Sequence, residues 1–209
     1  MPLHALQYFS LLANMDNDIV TTTLQLYQEK NWREMIEKFY GHPKRNKLLW
    51  VFPSEDNFGF LEECLKELCC DKVLSIGCGS GLLEWMITEA TGYPVQGVEV
   101  DGAWWSCKYA PPHFIPLLLT SATQLDKQVI EALNDTTTAL LFCYFNNRPA
   151  FEEYLKHFQG NILIIIGPDG KDVHTDPKPF IDLGKEWNLF KWQEVRDSKD
   201  FIVIYRKTV

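Results

Sequence analysis

Three glycines stand at alternate positions in this chain, Gly77, Gly79 and Gly81, directly after a short apolar run at 73–76. Glycine lets the backbone turn sharply and approach a ligand closely. Leu82 and the amphipathic residues after it predict a helix, whose first turn presents unpaired N–H groups. A strand, a glycine loop and a helix in this order are typical of a site that holds a nucleotide-like cofactor.

An acidic residue completes this pattern on the next predicted strand, at 95–100. Glu99 follows Gly77 by about 20 residues, the spacing at which an acid binds ribose hydroxyls in dinucleotide-binding folds. Those folds place the third glycine one position later, where this chain has Leu82. The spacing therefore disfavours a nucleotide-dependent oxidoreductase and leaves it as the weakest alternative.

The elements that must position this loop form two patterns. In the first 70 residues the pattern is helical, with Trp32, Met35, Ile36 and Phe39 on one helix face and Ser54 placed to cap another helix. From residue 72 onwards short apolar runs alternate with helical patterns, which predicts a parallel sheet covered on both faces. The runs predicted as strands are 73–76, 95–100, 114–119, 139–145 and 162–166, followed by a hairpin at 189–195 and 201–205. We expect a helical extension at 1–70 and one compact core at 71–209.

Composition restricts the class of protein further. A chain of 209 residues with 46% hydrophobic and 23% charged residues can bury a full core, which excludes disordered and fibrous classes. The net charge of −8 disfavours nucleic acid and anionic membranes as partners. The longest unbroken apolar run, at 139–145, is far shorter than the roughly 20 residues of a membrane span.

The cysteines and histidines indicate neither disulfides nor a metal site. The six cysteines include no C-x-x-C pair, and the five histidines include no i, i+4 pair and no cysteine at ligand spacing. The first lysine or arginine is Lys30, so the positive start of a secretory signal is missing. We therefore expect reduced thiols, no bound metal and a cytoplasmic protein, with the nucleus as an alternative.

At this point the chain resembles the class I S-adenosylmethionine-dependent methyltransferases. The sequence Gly-Cys-Gly-Ser-Gly at 77–81 is similar to motif I of that family, and Gly-Val-Glu at 97–99 is similar to the segment with its ribose-binding acid. The resemblance covers roughly residues 48–206. It implies an α/β fold with a seven-stranded, mostly parallel sheet of strand order 3-2-1-4-5-7-6, strand 7 antiparallel, and helices on both faces. It also implies S-adenosylmethionine as the cofactor, above the carboxyl ends of the first strands.

The resemblance carries over to individual positions. The glycine loop would face the methionine and ribose, Glu99 would accept hydrogen bonds from the ribose, and Val100 and Ser121 would border the adenine. The segment 50–54 is similar to one that some members lay across the cofactor. By this resemblance the cofactor-binding residues are Phe52, Ser54, Ser75, Gly77, Cys78, Gly79, Gly81, Glu99, Val100, Ser121, Ala122 and Cys143.

Two positions depart from the family pattern. Many members have an acid at the position of Ser75, where its carboxylate helps to orient the methionine amino group; serine retains a hydrogen bond without the charge. Amino-methylating members have Asn-Pro-Pro-Tyr or a similar motif where this chain has Phe-Asn-Asn at 145–147. The identity of the methyl acceptor is therefore open.

Three residues are candidates for catalysis, each with a structural alternative. Tyr144 would support the acceptor by a hydrogen bond or its ring face, or else pack as a core tyrosine. Asn146 would orient the acceptor through its amide, or else cap the helix that Pro149 begins. His174 would act as a general base near neutral pH, or else lie in an ordinary surface turn.

The sequence thus predicts a methyltransferase that transfers a methyl group from S-adenosylmethionine to a small-molecule or protein acceptor. The departures at Ser75 and at 145–147 keep an alternative from another class open, a non-catalytic S-adenosylmethionine-binding protein that acts as a sensor or regulatory subunit. The oligomeric state is not predicted.

Overall fold

The structure, a computed structural model, describes residues 17–108, 110–170 and 173–208. The first 16 residues of the expected helical extension therefore lie outside the described residues. Helices α1 to α7 span Asn17–Gln28, Trp32–Tyr40, Glu55–Glu67, Leu82–Thr91, Gly102–Trp105, Lys127–Leu133 and Arg148–His157. Strands β1 to β7 span Lys72–Ile76, Val95–Val100, Leu117–Thr120, Thr138–Cys143, Ile162–Pro168, Trp187–Glu194 and Asp200–Lys207.

The N-terminal helices form where the sequence predicts them. Asn31 caps α2, and its side chain accepts a hydrogen bond from the Glu34 N–H at 3.3 Å. The buried face of α2 consists of Trp32, Met35, Ile36 and Phe39, the predicted stripe. Ser54 caps α3 through a capping box with Asn57, which satisfies backbone N–H groups at the helix start.

The seven strands form one sheet in the order β3-β2-β1-β4-β5-β7-β6. Strands β1 to β5 are parallel to one another, and β7 is antiparallel to both of its neighbours, β5 and β6. This confirms the expected fold class and strand order. The strand order reverses at β1: the chain adds β2 and β3 on one side of β1 and then β4 and β5 on the other side. The gap between β1 and β4 is therefore a topological switch point, the place where open α/β sheets bind ligands.

Several strand boundaries differ from the predicted ones, and two of the differences have a clear backbone cause. β3 begins at Leu117 rather than at residue 114, because Pro116 has no N–H to donate to the ladder. β4 ends at Cys143 rather than at residue 145, because Tyr144 adopts a left-handed conformation with φ 49°. The chain therefore turns at Tyr144, at the edge of the sheet where the glycine loop lies.

Each face of the sheet is covered by helices. On one face, α1 to α4 pack onto the sheet, and the N-terminal residues Trp32 and Phe58 belong to the same buried cluster as Ile164 and Ile204. On the other face, α6 and α7 pack in a second cluster. No helix within the described parts of the chain is both long and apolar enough to cross a membrane.

Candidate cofactor site

The glycine loop lies between β1 and α4, beside the switch point. Gly77, Gly79 and Gly81 all have positive φ angles, 71°, 62° and 79°, which other residues rarely adopt. A Cβ at Gly81 would collide with Ile115, and one at Gly77 would lie 3.1 Å from the ring of Phe145. Glycine is therefore required here by conformation and by close packing.

Glu99, at the end of β2, is tied directly to this loop. Its Oε1 accepts a 2.7 Å hydrogen bond from the Gly79 N–H, and its Oε2 accepts one from the Val100 N–H at 3.2 Å. Desolvation raises the pKa of Glu99 to about 7, although the hydrogen bonds that it accepts, including one from the Trp105 side chain, oppose the shift. The acid expected to bind ribose thus lies at the loop.

The ends of β2 and β3 present apolar side chains to solvent. Val100 and Leu119 are exposed, although most large apolar side chains of the sheet are buried. Ser121 and Ala122 follow β3 and are also exposed; the Ser121 hydroxyl interacts with that of Thr123 at 3.0 Å and accepts from the Thr123 N–H. An exposed apolar wall with a nearby hydroxyl is suited to a planar, partly polar ring.

Below the loop lies a carboxyl group that the sequence analysis did not single out. Glu84, in the first turn of α4, is 2% exposed, and its Oε1 accepts a 2.7 Å hydrogen bond from the fully buried Ser75 hydroxyl. Its Oε2 is buried without a hydrogen-bond partner. Desolvation raises the pKa of Glu84 to about 7. The available signal was a charged residue on the inner face of a helix, between Leu83 and Met86.

The thiols of Cys78 and Cys143 border the same region. Burial raises the pKa of each thiol well above its usual value, and the charge of Glu84 raises both further. Both groups are therefore neutral near pH 7 and do not act as thiolate nucleophiles. The charge of Glu84 therefore acts on both the loop after β1 and the end of β4.

Tyr144 directly follows β4, and its hydroxyl is hydrogen-bonded. That hydroxyl donates a 2.6 Å hydrogen bond to Oδ1 of Asp200, and desolvation raises the pKa of the phenol far above its usual value. The indole of Trp50 stacks on the Tyr144 ring, with centroids 5.9 Å apart and planes 21° from parallel. Trp50 is 66% exposed, so one aromatic face at this strand end is open to solvent.

The other two catalytic candidates are brought to the same edge by paired loops. Asn146 forms an isolated bridge with Asp176, which places the loop after β4 beside the loop that contains His174. Both Asn146 and His174 are exposed. The helix cap is Asn147, whose side chain accepts from the Ala150 N–H at 3.2 Å. Asn146 is therefore not the cap residue of α7.

The segment 50–54 is held in place by the hairpin. Arg196 donates from Nε to the carbonyl of Phe52 at 3.1 Å and from Nη2 to Glu37 at 2.9 Å. Phe52 itself is 6% exposed and packs in the core, and the Ser54 hydroxyl is used as the cap of α3. Of this segment, Trp50 presents the most exposed large apolar side chain.

Among the described residues, no group of three or more His, Cys, Asp or Glu side chains is placed to hold a metal ion. The arrangement is instead suited to a small-molecule cofactor. It comprises a glycine loop, an acid at its centre, an apolar wall and a buried carboxyl group beneath, all at the carboxyl ends of parallel strands.

Comparisons with known proteins support this interpretation of the fold. No protein-family model matches the sequence, and no curated protein matches it. Among solved structures, a point mutant of MtNAS is similar at 13% identity with a TM-score of 0.53, over 93% of this chain and 78% of that one. The same mutant in complex with S-adenosylmethionine has 14% identity and a TM-score of 0.51, over 93% and 80%.

A third similar structure is magnesium protoporphyrin IX methyltransferase (ChlM) from Synechocystis PCC 6803 with bound SAM. It has 12% identity and a TM-score of 0.49, over 93% of this chain and all of that one. The strand order and the similarity to the MtNAS structures establish the fold: this chain has the class I methyltransferase fold.

Proposed function

We propose that this chain binds S-adenosylmethionine and transfers its methyl group to a small-molecule or protein acceptor. The observation that carries the proposal is the contact of Glu99 with the Gly79 N–H, at the switch point of a class I methyltransferase fold. The cofactor, when bound, supplies an electrophilic methyl group on a sulfonium. A methyl-transfer enzyme then contributes mainly proximity and orientation, and a base where the acceptor must lose a proton.

The residues of the chain fit this cofactor. Glu99 is suited to accept hydrogen bonds from the ribose hydroxyls, and Val100 with Leu119 offers an apolar wall for the adenine ring. Ser121 is suited to accept from the adenine amino group. The glycine loop allows the methionine to approach the backbone closely, because no side chain projects from Gly77, Gly79 or Gly81.

On the acceptor side, Tyr144 and Trp50 are suited to an orienting role. The Tyr144 phenol stays neutral near pH 7 and donates to Asp200, so we assign it no role as a base. Its stack with Trp50 leaves an aromatic surface against which a planar or cationic acceptor can lie. His174 and Asn146 remain candidates to accept a proton and to orient the acceptor. The net charge of −8 favours a small molecule or protein over nucleic acid.

A second candidate function is a cytoplasmic S-adenosylmethionine sensor or regulatory subunit without transfer activity. The observation that favours it is the hydroxyl of Tyr144, which already donates to Asp200 and whose pKa is raised far above its usual value, so Tyr144 does not take a proton from an acceptor. Both functions require the same cofactor site, and in both we propose that residues 1–70 form a cap on the core at 71–209.

Calorimetry and a transfer assay separate these functions. Titration with S-adenosylmethionine and S-adenosylhomocysteine is expected to give a Kd between about 1 μM and 1 mM. Labelled methyl from S-adenosylmethionine should then appear in a metabolite or protein fraction incubated with the chain, and not in its absence. Binding without transfer to any fraction would favour the sensor, and no binding of either ligand would overturn both functions.

A further inference from the structure

An aromatic surface formed by Trp50 and Tyr144 lies open to solvent beside the end of β4. Trp50 is 66% exposed, which makes it the most exposed large apolar side chain among the described residues. Its indole stacks on the Tyr144 ring, and the Tyr144 hydroxyl is tied to Asp200. A large indole left in water on a tethered tyrosine is suited to stack against a flat ligand.

A positive charge lies beside this aromatic surface. Arg45 belongs to the loop between α2 and α3, and its guanidinium carbon is 4.9 Å from the centroid of the Tyr40 ring and 6.0 Å from that of the Phe52 ring. Its Nη1 donates to the Tyr40 carbonyl at 2.6 Å. Desolvation raises the pKa of both Tyr144 and Asp200, and the charge of Arg45 opposes both shifts. Arg45 is therefore close enough to act on a ligand at this strand end.

Arg45 lacks the counter-charge that other arginines of the chain have. Arg33, Arg148 and Arg196 each pair with a carboxylate at 2.7–2.9 Å. No such pair is found for Arg45 within the parts of the chain that the structure describes. A partly buried guanidinium without a counter-charge favours an anion at its remaining N–H donors.

Two carboxyl groups near Arg45 do not neutralise it. Asp200 is buried and already accepts hydrogen bonds from two hydroxyls. The hydrogen bond from Tyr40 lowers the pKa of Asp197 most, and the charge of Arg196 acts on that carboxyl more strongly than the charge of Arg45 does. The charge of Arg45 thus favours an anion over a cation beside the aromatic surface.

We propose that the methyl acceptor is a small aromatic anion whose ring stacks on Trp50 and whose carboxylate or phosphate group binds Arg45. The inference rests on the proposed function and narrows its acceptor to planar anions. A guanidinium suits either group, because it donates two parallel N–H bonds to a carboxylate or a phosphate. On transfer, a nucleophilic oxygen or nitrogen of the acceptor bonds to the methyl carbon. The carbon–sulfur bond breaks with its electron pair on sulfur, and any proton that the acceptor loses passes to solvent.

Binding measurements test the charge and the ring of the ligand separately. The protein, saturated with S-adenosylhomocysteine, is titrated by calorimetry with the three hydroxybenzoates, indole-3-acetate and phenyl phosphate. It is also titrated with their neutral counterparts, the hydroxybenzamides, indole-3-acetamide and phenol. We expect at least one anion to bind with a Kd below about 1 mM, and about 10- to 100-fold more tightly than its neutral counterpart. The carboxylate and phosphate arms show which anionic group is accepted, and a set in which no anion binds more tightly than its counterpart would overturn the proposal.

Substitutions of Arg45 test the charge. In Arg45→Gln the affinity for the anion should fall about 10- to 100-fold, whereas the affinity for the neutral counterpart should stay unchanged. Arg45→Lys retains the charge without the fork and should lose less. Arg33→Gln removes an exposed arginine of α2 and should match the parent protein. Equal losses for the anion and its counterpart in Arg45→Gln would show that Arg45 only supports the fold.

A substitution of Trp50 tests the stack. Trp50→Leu should weaken the binding of the anion and of its neutral counterpart alike, by about 2- to 10-fold, because both carry the same ring. Trp192→Leu is the matched control, since Trp192 is 52% exposed on the edge strand β6, and it should bind as the parent protein does. Unchanged affinity in Trp50→Leu would exclude the stacked position of the acceptor.

A transfer assay separates failure of this inference from failure of the proposed function. A cell extract is divided by ion exchange into anionic, neutral and cationic small-molecule pools, and a protein pool is kept apart. Each pool is incubated with the chain and methyl-labelled S-adenosylmethionine, and we expect label in the anionic pool. Label only in another pool would overturn the acceptor class while leaving methyl transfer in place. No label in any pool would contradict the transfer itself, whatever the charge of the acceptor.

Discussion

The hydroxyl of Tyr144 donates a 2.6 Å hydrogen bond to Oδ1 of Asp200, which joins the residue after β4 to the first residue of β7. Asp200 is 7% exposed, and its Oδ2 also accepts from the Ser198 hydroxyl at 3.1 Å. Desolvation raises the pKa of Asp200, while these hydrogen bonds oppose the shift. The pair thus serves to fix the end of β4, and it leaves only the ring of Tyr144 for contact with a ligand.

The change Tyr144→Phe is therefore expected to reduce stability more than cofactor binding. It removes one hydrogen bond from a buried carboxyl group, which lowers the free energy of unfolding by about 1–3 kcal/mol. Denaturant unfolding measures this loss, and calorimetry with S-adenosylhomocysteine should give an unchanged Kd. Tyr93→Phe is the control, because Tyr93 is half-buried and its hydroxyl has no hydrogen bond among those found within the described residues. Comparable losses in both variants would contradict the role assigned to the pair.

The sequence predicts the fold well because its main signals are local. The alternation of strands and helices and the glycine loop depend on neighbouring residues. The stripe of α2 and the Ser54 cap do so as well, and both form as predicted. The boundary errors at Pro116 and Tyr144 also have local causes, a missing N–H and a left-handed backbone.

The contacts that define the site are harder to predict because their partners are distant in sequence. Tyr144 contacts Asp200 only because β4 and β7 belong to one sheet. Trp50 stacks on Tyr144 only because the segment 50–54 lies beside the end of β4. Glu84 looks like an ordinary helix residue until Ser75 is found beneath it. Residue type alone does not distinguish a solvated acid from a buried one, since the difference lies in tertiary packing.

A second prediction concerns the attachment of the N-terminal helices to the hairpin. Arg196 stacks on the Tyr40 ring at 4.2 Å and bonds to the Phe52 carbonyl and Glu37, and its side chain is only 16% exposed. Arg196→Ala should lower the free energy of unfolding by about 2 kcal/mol, because packing, a backbone contact and an ion pair are lost together. Denaturant unfolding measures this loss.

Arg196→Ala should also be cleaved faster by a protease within residues 41–53, because the contacts of Arg196 hold that segment against the hairpin. Arg33→Ala, which removes an exposed ion pair with Glu55, is the control and should change little. Equal proteolysis rates in both variants would contradict the view that Arg196 holds the segment 41–53 in place.

A third prediction concerns pH. Desolvation raises the pKa of both Glu84 and Glu99 from 4.5 to about 7 in the folded chain. Each group binds its proton more tightly when folded, so its contribution to stability is full below pH 4.5 and is lost as the pH rises to about 7. The loss is about 3 kcal/mol per group.

Denaturant unfolding at about pH 5 and about pH 8, without ligand, measures this dependence. The free energy of unfolding should fall between these values, and Glu84→Gln should remove part of the fall because glutamine does not titrate. Glu89→Gln should retain the full dependence, because Glu89 lies at the far end of the same helix, where it pairs with Lys30 at 3.2 Å. If the free energy of unfolding changes equally between these pH values in the parent protein and in Glu84→Gln, the pKa of Glu84 is not raised.

The last prediction tests the position of the loop itself. In Gly79→Arg the new side chain projects from the loop that Glu99 contacts, so we expect it to occupy the space of the cofactor and abolish binding of S-adenosylhomocysteine. The φ of 62° at Gly79 also adds backbone strain of about 1 kcal/mol, which must be separated from the steric effect. Gly92→Arg provides that control, because Gly92 has a similar φ of 75°, ends α4 and has nothing within 4 Å of an added Cβ. Both variants should remain folded and lose similar stability on denaturant unfolding. Only Gly79→Arg should lose the calorimetric signal of ligand binding. If Gly79→Arg binds the ligand as tightly as Gly92→Arg does, the ligand lies elsewhere.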